Sequence, residues 1–200
     1  MEEMTETLSQ TQSGYLNGQL LLAMPGIGDP RFDKAVIYLC AHDDKGAMGI
    51  VINDIMKGLE FGTLLTDLEI ESNITLPQRL QHLPVLCGGP VETARGFLIH
   101  SGDFKQPGTI EVQDDIFVTG TIDALLALND DSAPENAIFA LGYAGWTAGQ
   151  LEQELKHNAW LTLPATPSLV FSEKTGHIWD KSLAALGISA SQLSNMSGRA

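Results

Sequence analysis

The chain has 200 residues, of which 44% are apolar and 18% charged, and a formal net charge of −14. This balance describes a folded domain long enough to bury a sizeable core, not a disordered chain, and no apolar run approaches the roughly 18 residues of a membrane span. An acidic surface repels phosphate backbones and anionic headgroups, so direct nucleic-acid binding and a membrane role are not expected; a basic partner or plain solubility fits better.

Residues 1–14 carry Glu2, Glu3 and Glu6 and no basic residue, which reads as a flexible acidic tail and not a secretory signal. Residues 15–200 read as one domain. Residues 16–23 form an apolar strand, stopped by Pro25-Gly26 and the Gly28-Asp29-Pro30 loop. A second strand at 36–40 and a third at 48–52 flank a hairpin turn at Asp43, Asp44, Lys45 and Gly46. Apolar residues at 61, 64, 65 and 68 have helical spacing. Residues 69–84 read as a polar loop. Short strands follow at 85–87, 97–100, 110–112 and 116–118, then a helix at 122–128 and a strand at 137–141. Thr147 and Gln150 form a capping box that opens a helix over 147–157. Strands at 159–163 and 169–171 come next. Trp179, Leu183 and Leu186 mark a helix closed by Gly187, and Ser189 with Gln192 suggests one last helical turn. Most strands neighbour strands, so the expected fold is α+β, with a mixed, mostly antiparallel, partly barrel-like sheet and four or five flanking helices.

Nucleotide-binding and nucleophile-elbow motifs are absent. Cys40 and Cys87 sit in apolar stretches and read as buried free thiols, which points to a reducing cytoplasm. Cys40 and His42 lie two apart on a strand and share a face. With Cys87 and His100 they could hold zinc or form a Cys–His nucleophile pair. The spacing matches no zinc knuckle, however, and no orienting carboxylate is visible for either histidine. No metal and no cofactor are expected. Gly88-Gly89 lets a backbone approach a ligand or another strand closely. Gly142 to Trp146 places Tyr143 and Trp146 between glycines at the start of a helix. There they could wall a site for an anionic group, or plug the gap between strand and helix.

Three runs, LLAMPGIGDPRFDKAVIYLCAHDDKGAMGIVIN, GGPVETARGFLIHSGDF and ALGYAGWTAGQLEQELKHNAWL, with the later LVF and IWDKSLAALGI segments, resemble the YqgE/AlgH family of bacterial proteins from about Gly14 to Ala200. The resemblance implies a compact α+β domain of the bacterial cytoplasm. It implies no enzyme and carries over no catalytic residue. One branch has a name tied to transcriptional control of a surface polysaccharide, so regulation, direct or indirect, is the implied role. Family-patterned positions include Asp29, His42, Asn53, Gly88 and Gly89, and further along His100, Tyr143, Gly145, Trp146 and Gln150. Asp54 and Ile55 depart from the basic residue and proline that commonly follow the asparagine, and Cys87 stands where other apolar residues are usual. The expectation is a non-enzymatic binding or regulatory protein. Its site would join the His42 hairpin, the Gly88-Gly89 loop, His100 and the 143–150 turn around a protein, a peptide or a small anion. The alternative is a hydrolase or transferase with His42 or His100 as general base.

Overall fold

A computed structural model describes residues 14–68, 76–120, 125, 127–128, 132–172, 175–190 and 193. The first strand shows how the sequence builds the sheet. In β1 (Gln19–Ala23) side chains alternate between faces, yet nearly all are apolar. Leu20 and Leu22 enter one core cluster while Leu21 and Ala23 enter another. An apolar run without alternation is what a strand covered on both faces requires. β2 (Val36–Asp43) repeats the pattern, with Val36 and Tyr38 on one side and Ile37 and Leu39 on the other.

The remaining strands are β3 (Gly46–Val51), β4 (Ile55–Glu60), β5 (Pro84–Cys87), β6 (Val91–Ser101), β7 (Ile110–Gln113), β8 (Ile116–Thr119), β9 (Ala137–Thr147) and β10 (Trp160–Pro164). With β1 and β2 they form, among the described residues, one ten-stranded sheet of order β10-β1-β2-β3-β9-β6-β8-β7, with β5 joined to β9 and β4 to β5. Every pairing is antiparallel except β5 with β9. The sheet curls into a half-barrel, and the Gln113 side chain of β7 comes round against Gly18, just before β1.

Among the described residues five helices cover it: α1 (Phe61–Asp67), α2 (Gln78–Gln81), α3 (Gln150–Lys156), α4 (Pro167–Val170) and α5 (Ile178–Ala185). Trp179 and Leu183 of α5 join the cluster that spans β1, β2, β3, β6 and β8, and the Trp179 indole N–H donates to the Ala23 carbonyl at 3.0 Å. α1 and α2 cover Val85, Leu98 and Phe139. α3 sets Leu151 over Ile37, Leu39 and Ala144. After α5 the Gly187 and Ile188 amides return to the Ala184 and Leu183 carbonyls, with Gly187 at φ 71°. This is the glycine stop that the sequence predicts.

The α+β fold and its mostly antiparallel, partly barrelled sheet are as expected, and the Asp43–Gly46 hairpin joins β2 to β3. Several boundaries differ. Residues 169–171 are not a strand, because Pro167 preorganises the first turn of α4. The expected loop at 69–84 contains α2 and the start of β5, while 69–75 lie outside the described residues. β4 was not expected: its burial pattern is almost wholly exposed, so it lacks the apolar alternation that marks a strand. β6 and β9 are each 11 residues long, and β9 runs straight through Gly142, Gly145 and Trp146. The helix expected over 147–157 begins only at Gln150, after Gly149 in the left-handed conformation. Only half of the capping box forms: the Gln150 side chain accepts from the Thr147 amide at 3.1 Å, and Thr147 itself still belongs to β9. Most of the expected helix at 122–128, the last turn near Gln192 and the tail at 1–13 lie outside the described residues.

Candidate binding cleft

The site is built on the far half of β9. Pairing of β6 with β9 runs from His100 opposite Ala137 to Val91 opposite Tyr143 and stops there. From Ala144 to Thr147, β9 keeps β3 on one side, and among the described residues no strand pairs with its other side. Side chains alternate across this stretch. Tyr143 packs with the inner cluster, whereas Ala144 and Trp146 pack outward under α3.

A cleft of about 310 Å³ opens beside this free edge. Asp29, Arg31 and Phe32 line it from the loop after β1, Pro90 and Val91 from the start of β6, Gly145 and Trp146 from β9, Gln150 and Glu154 from α3, and Trp160 from β10. A second, shallower depression of about 530 Å³ shares Val91, Gly145 and Trp146 and continues past Tyr143 and Arg95 to Met48 and Lys45.

One carboxylate organises the cleft. Glu154 Oε2 accepts the indole N–H of Trp146 at 2.8 Å and that of Trp160 at 2.7 Å. Its Oε1 accepts from the Gln150 amide at 2.9 Å. The Gln150 carbonyl oxygen in turn accepts from the amide and hydroxyl of Thr147. The two indoles meet edge to face at 6.0 Å, and Phe32 meets Trp160 at 5.8 Å, both within the range of favourable aromatic pairs. At the rim, Arg31 grips both carboxylate oxygens of Asp29. That side-chain pairing, with the Arg31 amide adding to it, holds Asp29 below the usual carboxylate range.

Asp29, Gly145, Trp146 and Gln150 therefore come together, and Tyr143 borders the adjoining depression. The other expected site residues are placed differently. Gly88 and Gly89 face backbone: an added Cβ would lie 2.3 Å from the Gly142 oxygen and 2.2 Å from the Tyr143 carbonyl carbon, respectively. The close approach they permit here is to β9. Asn53 accepts from the Val36 amide and donates to the Lys34 carbonyl, both at 2.8 Å, and so ties β3 to the start of β2.

His42 lies on the opposite side of α3. Its Nε2–H donates to Glu152 at 3.0 Å, and its Nδ1 accepts from the Leu16 amide at 3.1 Å. An orienting carboxylate thus exists, contrary to expectation. Yet the lone pair a general base needs is already taken, and the ring is buried. The Glu152 carboxyl is held low by its own backbone amide, with His42 and Lys156 adding to the effect.

His100 stands opposite Ala137, at the other end of β9 from the cleft. Ala137 and Gly145 are eight steps apart along the strand, or about 25 Å. Its Nδ1–H donates to the Ser101 carbonyl and its Nε2 accepts from the Thr119 hydroxyl. Burial pushes its pKa below the ordinary 6.5. The folded protein then refuses a proton that the unfolded chain takes up, so stability should be full above about pH 6.5 and fall as pH drops below it, by at most about 1.4 kcal/mol per pH unit. Urea denaturation should show the parent less stable at pH 5.5 than at pH 7.5, and a smaller difference between the two pH values in His100→Gln. Equal losses in both would mean that His100 is not the titrating group.

Cys40 and Cys87 are free, and burial pushes the Cys40 thiol up to about 12. Among the described residues no three His, Cys, Asp or Glu side chains converge as a metal site, and no helix is long and apolar enough to cross a membrane.

Sequence reasoning missed Glu154, Trp160, Phe32 and Arg31. The signal for Glu154 was its i,i+4 spacing from Gln150 on one helix face.

A family model described as AlgH-like matches residues 20–191. A UPF0301 protein of Beijerinckia indica is 47% identical over 97% of this chain and 98% of its own length. Another from Methylobacterium sp. strain 4-46 is 47% identical over 94% and 91%. The solution structure of the AlgH protein from Pseudomonas aeruginosa, also UPF0301, is similar over the whole of both chains, with a TM-score of 0.74 and 38% identity. A crystal structure of a protein from Corynebacterium diphtheriae shares the fold at a TM-score of 0.65 and 18% identity, covering 84% of this chain and 86% of that one. The chain belongs to the AlgH-like family of UPF0301 proteins.

Proposed function

We propose that this protein is a non-enzymatic binding protein of the cytoplasm that holds an extended segment of a protein partner along the free edge of β9. The observation that carries this reading is the stretch Ala144–Trp146, strand-paired on one side only among the described residues and opening on an aromatic-lined cleft, the Thr147 amide beyond it being held by Gln150. A strand edge supplies main-chain hydrogen bonds to an added strand, and flanking pockets select its side chains. His42 and His100 support the same reading, since neither has a free acceptor nitrogen to offer a substrate. Any regulatory action would pass through a protein partner, because a net charge of −14 disfavours DNA contact.

Gly145→Leu tests this. An added Cβ at Gly145 meets only the Tyr143 ring, at 3.4 Å, so the larger side chain projects beside Tyr143 into the depression along the edge, where an added segment would lie, while Gly145 itself is exposed and its surroundings have room for it. Tagged parent and Gly145→Leu proteins, used as baits in bacterial lysate and read by mass spectrometry, should differ. A partner enriched by the parent should be lost from the variant at unchanged melting temperature. Equal recovery by both baits would overturn the reading.

A further inference from the structure

We propose that the cleft selects an arginine side chain, seated against Glu154 and the rings around it. The proposal rests on the peptide-binding reading and names the residue type that the bound segment must present.

A carboxylate has about four acceptor positions. On Glu154 the two indoles and Gln150 fill three, all three from neutral donors. Among the described residues no Lys, Arg or His forms an ion pair with it. The half-buried carboxylate thus keeps one acceptor position on Oε1 and an uncompensated charge inside a cleft walled by Phe32, Trp146 and Trp160. The cation already at the rim does not supply the balance, because Arg31 is committed to both oxygens of Asp29.

A planar guanidinium suits such a place better than an ammonium. It stacks on aromatic faces, is weakly hydrated, and donates in the plane while its faces remain free. The cleft holds an example of this contact: the Arg31 guanidinium carbon lies 6.0 Å from the Phe32 ring centre. The net charge of −14 would draw a basic segment in from a distance.

The test uses the full chain and two blocked pentapeptides, Ala-Ala-Arg-Ala-Ala and the same sequence with citrulline, the neutral isostere, in place of arginine. Nitrogen-15 spectra report the indole N–H signals of Trp146 and Trp160. Trp179, whose N–H is bound to Ala23 on the inner face, serves as the internal control. The arginine peptide should shift the first two signals and leave Trp179 in place. The citrulline peptide should bind about tenfold more weakly, as loss of a charge-assisted hydrogen bond implies. In Glu154→Gln, where an unmoved Trp179 signal shows the fold intact, the two peptides should bind alike. If both peptides shift Trp146 and Trp160 equally in the parent, segment binding stands and arginine selection is overturned. Selection is overturned as well if Glu154→Gln keeps the preference, or if the arginine peptide moves neither signal at millimolar concentration. Binding along β9 is then judged separately, by the Gly145→Leu comparison.

Discussion

Gly89→Ala is expected to lower the melting temperature by about 10 °C. Gly89 sits at φ 149°, and an added Cβ would lie 2.2 Å from the Tyr143 carbonyl carbon and 2.3 Å from its oxygen. Both are backbone atoms of the central strand, so no side chain can swing aside. Strain at a glycine-only conformation costs about 1–3 kcal/mol, and overpacking a fitted interior costs about 1–3 kcal/mol more. For a chain of this size each kcal/mol moves the midpoint by roughly 2–4 °C. Gly145→Ala is the control. Its Cβ meets only a tyrosine ring at 3.4 Å and Gly145 has no positive φ, so its midpoint should stay within a few degrees of the parent. Calorimetry of the two variants side by side decides the matter; a Gly89→Ala midpoint close to the control would mean that β5 and β9 separate at little cost.

Trp146→Ala should cost about 3–5 kcal/mol, the range for deleting a large aromatic from a core. Trp146 is only 8% exposed, lies edge-on to Trp160, and gives its N–H to Glu154. Truncation removes the packing and takes one donor from a half-buried carboxylate, and both effects have the same sign. Chemical denaturation, with the slope compared between variants, measures the loss. A value under 1 kcal/mol would show that the indole is not part of the fold's support. Because the ring is structural, loss of binding in Trp146→Ala would be uninformative, which is why substitutions at Gly145 and Glu154 carry the functional tests.

The central strands were legible because their chemistry is local. β1 and β2 are apolar on both faces, and the Asp43–Gly46 turn announces its hairpin. The glycines of the 142–149 stretch misled for a physical reason. Gly142 and its neighbours read as turn punctuation, but Gly142 is needed where the Gly89 oxygen passes 2.5 Å from its absent Cβ, and β9 continues through it. Its length depends on strands far away in sequence, which no local pattern reveals. The same holds for the cleft. Asp29, Gly145, Trp146 and Gln150, expected together in one site, do line one cleft, whereas Asn53, His42 and His100 lie outside it and bond to backbone. Glu154 looks like an ordinary solvated helix charge until the fold brings Trp146 and Trp160, eight residues before it and six after, onto one of its oxygens.

The position of β9 also bears on how the chain folds as it is made. β3, β5 and β6 all precede β9, and each pairs with it and not with one another. Partners such as Gly46 and Thr147 lie half the chain apart. Topologies rich in such distant pairings fold slowly. At usual elongation rates β3 leaves the ribosome roughly 5–20 s before β9. Throughout that interval the β1–β3 meander, apolar on both faces, has neither its central neighbour nor the later helices α3 and α5 that cover it. The nascent chain therefore carries unpaired apolar strands until the stretch that closes the sheet, which also forms the cleft, has been synthesised.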